Sequence, residues 1–144
     1  MTSTRTEAAT SSTTGIRRML LEGLAAAIVA AVATAAVAAA GRAAGISLDV
    51  AGGPIPPSGF ATLTVVFSLV GLVIAAGLRR FARRPRSTFV RVTVVLTLLS
   101  LVPDVIANAG WATRLLLILT HLVAAAIVIP VIARRLPVER SVTS

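Results

Sequence analysis

Four stretches of the chain are almost wholly apolar and each is about twenty residues long: Met19–Ala40, Phe60–Leu78, Phe89–Ile106 and Thr113–Ala133. At 1.5 Å of rise per residue, a helix of ~20 residues covers the ~30 Å hydrocarbon core of a bilayer. Lipid offers the backbone no hydrogen-bond partner, so a segment facing it must satisfy its own N–H and C=O groups. Composition agrees, with 56% hydrophobic and only 13% charged residues and a mean hydropathy of +0.94. The expectation is an all-α polytopic membrane protein with four transmembrane helices in an antiparallel bundle, occupying residues 17–136 of a single domain. Residues 1–16, rich in Ser, Thr and Ala, read as a disordered tail, and residues 137–144 as a second short tail. A signal peptide is the rival reading of the first run, but its apolar length exceeds the ~7–15 residues of an h-region and favours a retained helix.

All 14 basic residues are arginine, against 5 acidic ones. A net charge of +9 would suit nucleic acid, but these arginines fall at the ends of apolar runs, where they orient a membrane protein instead. Arg17, Arg18, Arg79, Arg80, Arg83, Arg84, Arg86, Arg91, Arg134, Arg135 and Arg140 lie before helix 1, around the helix 2–3 link or after helix 4. Only Arg42 and Arg114 fall on the other side. Basic residues near a span resist translocation, so both termini and the link are expected in the cytoplasm, with the protein in the plasma membrane. Anionic-lipid contact through Arg79, Arg80, Arg83, Arg84 and Arg86 would add roughly 1 kcal/mol per arginine, although topogenesis alone accounts for them.

Punctuation fits the boundaries: Ser58 after Pro56-Pro57, and Ser87 or Thr88 after Pro85, are expected as N-caps. The outer 41–59 segment holds an extended piece at Ile46–Val50 followed by Gly and Pro, and reads either as a cap over the helices or as a surface loop. Helix 1 repeats small residues at Gly23, Ala27, Ala31, Ala35 and Ala39, with Ala26, Ala30, Thr34 and Ala38 beside them. Such a face lets backbones approach closely, either within the chain or in a homo-oligomer.

The polar residues inside the spans carry what chemistry there is. Thr93, Thr97, Ser100 and Asp104 share one face of helix 3; Arg114 and His121, the only histidine, share one face of helix 4. Counting rise from flush outer ends places Asp104 beside Arg114 at the rim. His121 then lies about 10–12 Å deeper, opposite Thr97 and Ser100. Ser68 and Thr34 reach a similar depth, which makes His121 the centre of a polar layer. His121, Thr97, Ser100, Asp104 and Arg114 are therefore the candidate site. One use is a proton or ligand path. The favoured one is a clasp, with neutral His121 hydrogen-bonded across the helices for roughly 0.6–2 kcal/mol and Asp104 paired to Arg114. Pro103 and Pro130 free the carbonyls of Leu99 and Ala126. Glu22 is expected to pair with Arg18, four residues back.

No cysteine, second histidine or paired carboxylate stands at ligand spacing, and no nucleophile stands near a base, so neither a metal or cofactor site nor an enzyme is expected. Small four-helix multidrug exporters match in length and helix number. They carry an aromatic binding surface, whereas this chain has no Tyr and one Trp, Trp111.

The segments "GFATLTVVFSLVGLVIAAGLRRFARRPRSTF", "LSLVPD" and "LTHLVAAAIVIPVIARRL" resemble an uncharacterised group of small four-helix integral membrane proteins of high-GC actinobacteria, over roughly Arg17 to Leu136. The resemblance implies four spans in the plasma membrane and supplies no activity or site residue. The expected role is that of a non-enzymatic membrane component or accessory subunit. A small transporter or sensor using the helix 3 stripe and His121 is the alternative.

Overall fold

A computed structural model describes residues 3–50 and 52–139, with side chains from Thr14 onward. Four helices make up the fold: α1 Ser3–Ala43, α2 Pro57–Phe81, α3 Pro85–Ile106 and α4 Trp111–Arg135. All four are long and apolar enough to cross a membrane, α1 through its Thr14–Ala43 portion. The helical backbone of α1 starts at Ser3, inside the stretch expected to be a tail. Of the second expected tail, Pro137–Glu139 lies against the start of α3, and residues 140–144 fall outside the described residues.

Each helix ends for a local reason. The α1 chain reverses at Gly45, whose φ of +83° suits a residue without Cβ. Gly45 N–H donates to the Arg42 carbonyl at 3.0 Å and Ile46 N–H to the Gly41 carbonyl at 3.0 Å, the paired bonds of a Schellman stop. Helices α2 and α3 start on prolines, Pro57 and Pro85, with Pro56 and Arg84 at the N-cap and no side-chain cap. The expected serine and threonine caps are thus not used. Proline at the first helical position already has helical φ and no N–H to satisfy, which removes part of the need for a cap. Ser87 instead donates to the Arg84 carbonyl at 3.3 Å.

Between α1 and α2 the chain forms a small antiparallel hairpin, β1 Asp49–Val50 and β2 Gly53–Pro54, with Asp49 opposite Pro54 and Val50 opposite Gly53. This resolves the two readings of the 41–59 segment in favour of a cap. Leu48 is buried together with Ala38, Phe60, Leu116 and Leu117, and Ile46, Val50 and Ile55 pack against that cluster. The Thr113 hydroxyl donates to the Ser47 carbonyl and fastens the cap to α4. A second apolar cluster gathers Met19, Leu72, Phe89, Val128, Ile132 and Leu136. Around it Arg135 forms a two-bond ion pair with Glu22, and Arg84 pairs with Glu139 at 2.9 Å. Glu22 therefore reaches α4 rather than Arg18; a planar guanidinium facing a carboxylate makes two parallel bonds, which a neighbour on the same helix is poorly placed to do.

Helix α1 packs mainly on α2 and α4, whereas α3 packs on α4 and, less extensively, on α2. The small residues of α1 are what bring it close. Gly23, Ala26, Ala27, Ala30, Ala31, Thr34, Ala38 and Gly41 are buried, while Ala35 is half-buried and Ala39 exposed. The buried face follows the 3.6-residue turn and so drifts away from a strict four-residue repeat. At Gly23 a Cβ would come within 2.4 Å of Leu72 Cδ2, so glycine lets the Leu72 side chain sit where any larger residue would displace it. This face is occupied within the chain.

Candidate functional site

Helix α3 reaches its C-terminal end two residues beyond Asp104, and α4 begins after the short 107–110 connection. The two ends are not flush. Thr113 and Leu116, in the first turns of α4, are engaged with the hairpin cap, so α4 extends past the end of α3. That offset lifts His121 toward the end of α3 by the amount needed to meet Asp104. His121 Nδ1 stands 2.8 Å from Asp104 Oδ2. The pairing of Asp104 with Arg114 expected from the sequence is therefore wrong; the depth count failed because it started both helices from one plane. Arg114 donates from Nε to the Ala109 carbonyl at 3.0 Å, holding the connection between the helices.

The imidazole has two acceptors at one nitrogen. Nδ1 also lies 3.1 Å from the Leu117 carbonyl, one turn back on α4. A carboxylate and a carbonyl both require a donor, so the neutral ring carries its hydrogen on Nδ1 and its lone pair on Nε2. The N–H is directed at Leu117, which leaves Asp104 Oδ2 as a close polar contact without an aligned donor among the described residues. The Asp104 side chain is 11% exposed and that of His121 34%, so the acid is enclosed and the base opens outward.

The hydroxyls expected around this pair turn inward on their own helix. Thr93 donates to the Phe89 carbonyl at 2.8 Å, Thr97 to the Thr93 carbonyl at 2.8 Å, and Ser100 to the Thr97 carbonyl at 2.7 Å. This back-bonding is the usual resort of Ser and Thr in an apolar helix, where no water competes for the proton. Thr97 and Ser100 thus share the α3 face with Asp104, and their hydroxyl protons are committed. The polar layer centred on His121 divides in two. Its α1–α2 half is Thr34 and Thr64, whose hydroxyl oxygens are 3.0 Å apart, with Ser68 donating to the Thr64 carbonyl at 2.6 Å. Thr64 was not anticipated. It lies seven before Gly71 and four before Ser68 on α2, so the i, i+4 spacing to Ser68 was the available signal.

Of the five candidate residues, then, two meet, two are satisfied along α3 and one ties the α3–α4 connection. Among the described residues no group of three or more His, Cys, Asp or Glu could hold a metal ion. The fold and these contacts define a small all-helical protein with four candidate membrane spans and an acid–base contact, Asp104 with His121, inside them. Residues 14–138 match the family of unknown function DUF6069, and the chain belongs to that family. No curated protein and no solved structure matches it.

Proposed function

We infer that the chain is a small, non-enzymatic component of the plasma membrane: an antiparallel four-helix bundle with both termini and the 79–91 link in the cytoplasm, acting as an accessory or interaction subunit. The observation that carries this reading is that the hydroxyls of its candidate spans are settled within the chain, while Asp104 Oδ2, the one buried side-chain oxygen without a hydrogen bond among the described residues, stands against His121. Asp104 meets His121, Thr34 meets Thr64, and the α3 hydroxyls bond their own carbonyls. A path for substrate needs polar groups free to exchange partners, and a hydrolytic site needs a nucleophile within reach of a base. The lipid bilayer is the first partner, with Arg79, Arg80, Arg83, Arg84 and Arg86 near its anionic surface. A second membrane protein or a second copy is the other, and the α1 face, being filled by α2 and α4, does not support the second copy.

Orientation is testable directly because the chain has no cysteine. With a membrane-impermeant maleimide, Asn108→Cys should label in intact cells and Ala82→Cys only after lysis; the opposite pattern would sink the assignment. For the accessory role, the tagged chain cross-linked in its native membrane should recover one defined membrane protein in constant proportion. Recovery of the chain alone would remove that role.

A second reading, a small sensor or transporter, has one observation in its favour: a histidine, whose charge ordinarily changes near neutral pH, touches an enclosed carboxylate and is itself a third exposed. In reconstituted vesicles it requires a pH-dependent proton flux that His121→Ala abolishes while the fold persists. The clasp requires no flux in the parent and a lowered unfolding temperature in the variant.

A further inference from the structure

Where α3 begins, its first two turns and the segment after α4 enclose an open cleft of about 570 Å³. Three guanidinium groups line it, Arg84, Arg86 and Arg91, against one carboxylate, Glu139. Glu139 is taken by Arg84 Nε at 2.9 Å, so the cleft carries two positive charges, those of Arg86 and Arg91, that its own lining does not neutralise. The other carboxylates among the described side chains are placed elsewhere: Glu22 is held by Arg135, Asp104 lies in α3 against His121, and Asp49 sits in the hairpin. None of these supplies the counter-charge, and an external anion can.

The rest of the lining says what form that anion takes. Val90 and Val138 are the cleft's apolar lining, and Ser87 beside them gives its hydroxyl proton to the Arg84 carbonyl. From Val90 the exposed side of α3 continues through Val94 and Val95 into the span. A charged mouth therefore opens onto a hydrocarbon-compatible track. Arginine is suited to phosphate, since its planar fork can donate two parallel hydrogen bonds to one oxyanion group. The roles of the link arginines also separate here. Arg79 donates to the Arg135 carbonyl at 3.4 Å and Arg80 stacks 5.6 Å over the Phe81 ring, while Arg91, absent from the set first read as lipid-binding, faces the cleft.

We propose that this cleft seats the phosphate of one anionic phospholipid between Arg86 and Arg91, with an acyl chain running from Val90 along α3. The proposal rests on the reading of the helices as membrane spans. It is independent of which end is cytoplasmic, because a nanodisc presents the same lipid to both faces.

The full chain is placed in nanodiscs of phosphatidylcholine with a minor fraction of phosphatidylglycerol, and the lipid retained on release is measured by native mass spectrometry. Phosphatidylglycerol should be retained in preference to phosphatidylcholine. Arg86→Gln with Arg91→Gln should weaken that retention about tenfold more than Arg17→Gln with Arg18→Gln, which removes equal charge elsewhere and reports the diffuse surface term. Arg86→Lys with Arg91→Lys, which keeps charge and loses the fork, should fall between. Equal losses in the two glutamine pairs, or equal retention of the two lipids, would overturn the site. Displacement of the lipid by millimolar inorganic phosphate would assign the arginines to a soluble anion and overturn the lipid. Failure of the chain to enter nanodiscs would overturn the membrane reading as well, a result separable from entry without preference.

Discussion

Helices α1 and α3 both lie against α4 and α2, and they are held by different means. In an 18-residue apolar window of α1, 39% of residues are buried within the chain, against 17% in the corresponding window of α3. Lipid is as apolar as a leucine side chain, so no hydrophobic drive brings one helix to another; close packing and polar contacts must do it. Helix α1 uses both: Gly23, Ala27, Ala30 and Ala38 place its backbone against its neighbours, and Thr34 and Glu22 tie it to Thr64 and Arg135. Helix α3 has no such small-residue face; Phe89 is its apolar anchor near one end, and Asp104 stands against His121 near the other. Fixity in this molecule thus follows how closely a backbone can approach its neighbours, with single contacts holding the helix that cannot.

The largest effect should come from spoiling the close-packed side. Gly23→Leu introduces atoms where even a Cβ meets Leu72 at 2.4 Å, and we expect a loss of about 3 kcal/mol in detergent-based unfolding. Leu72→Ala in the same chain should return a large part of it; an additive loss would show that α1 is not held through this contact. Phe89→Ala follows, at roughly 2–3 kcal/mol, a cavity cost alone because the vacated ring owes little to hydration in this setting. A loss below that of the polar pair would mean that the anchor of α3 has been misplaced. His121→Ala or Asp104→Asn should each lower stability by roughly 0.6–2 kcal/mol. The double variant should cost less than the sum of the two, and strict additivity would deny the contact. Smallest of all, Glu22→Gln at the half-exposed Arg135 pair should change stability by about 1 kcal/mol or less, and less again at high salt.

Much of the framework was legible before any coordinates. Four spans follow from run length, and the helix 1 face from its alanines, because both depend on local composition and period. The site was legible in part. His121 and Asp104 could be singled out, since an ionisable residue in an apolar run is conspicuous, but their contact was hidden. It depends on how far α4 rises past α3, which the hairpin cap and Thr113 determine, and the cap is formed by residues with only an extended stretch and Gly-Pro punctuation to announce them. Glu22 misled for a related reason: Arg18 is close in sequence, and Arg135 is close only after three connections have closed. Thr97 and Ser100 looked available because a sequence shows a hydroxyl without showing the carbonyl one turn back that has taken its proton.

The hairpin has a further consequence for the order in which the molecule is completed during synthesis. The ribosome delivers residues 44–56 long before Thr113, Leu116 and Leu117, yet these later residues supply the bond to Ser47 and part of the apolar seat of Leu48. The nascent chain must therefore carry an unseated cap through the insertion of two more helices. The cap can close only when α4 arrives, so its protection from protease in stalled chains of increasing length would date the final step of assembly.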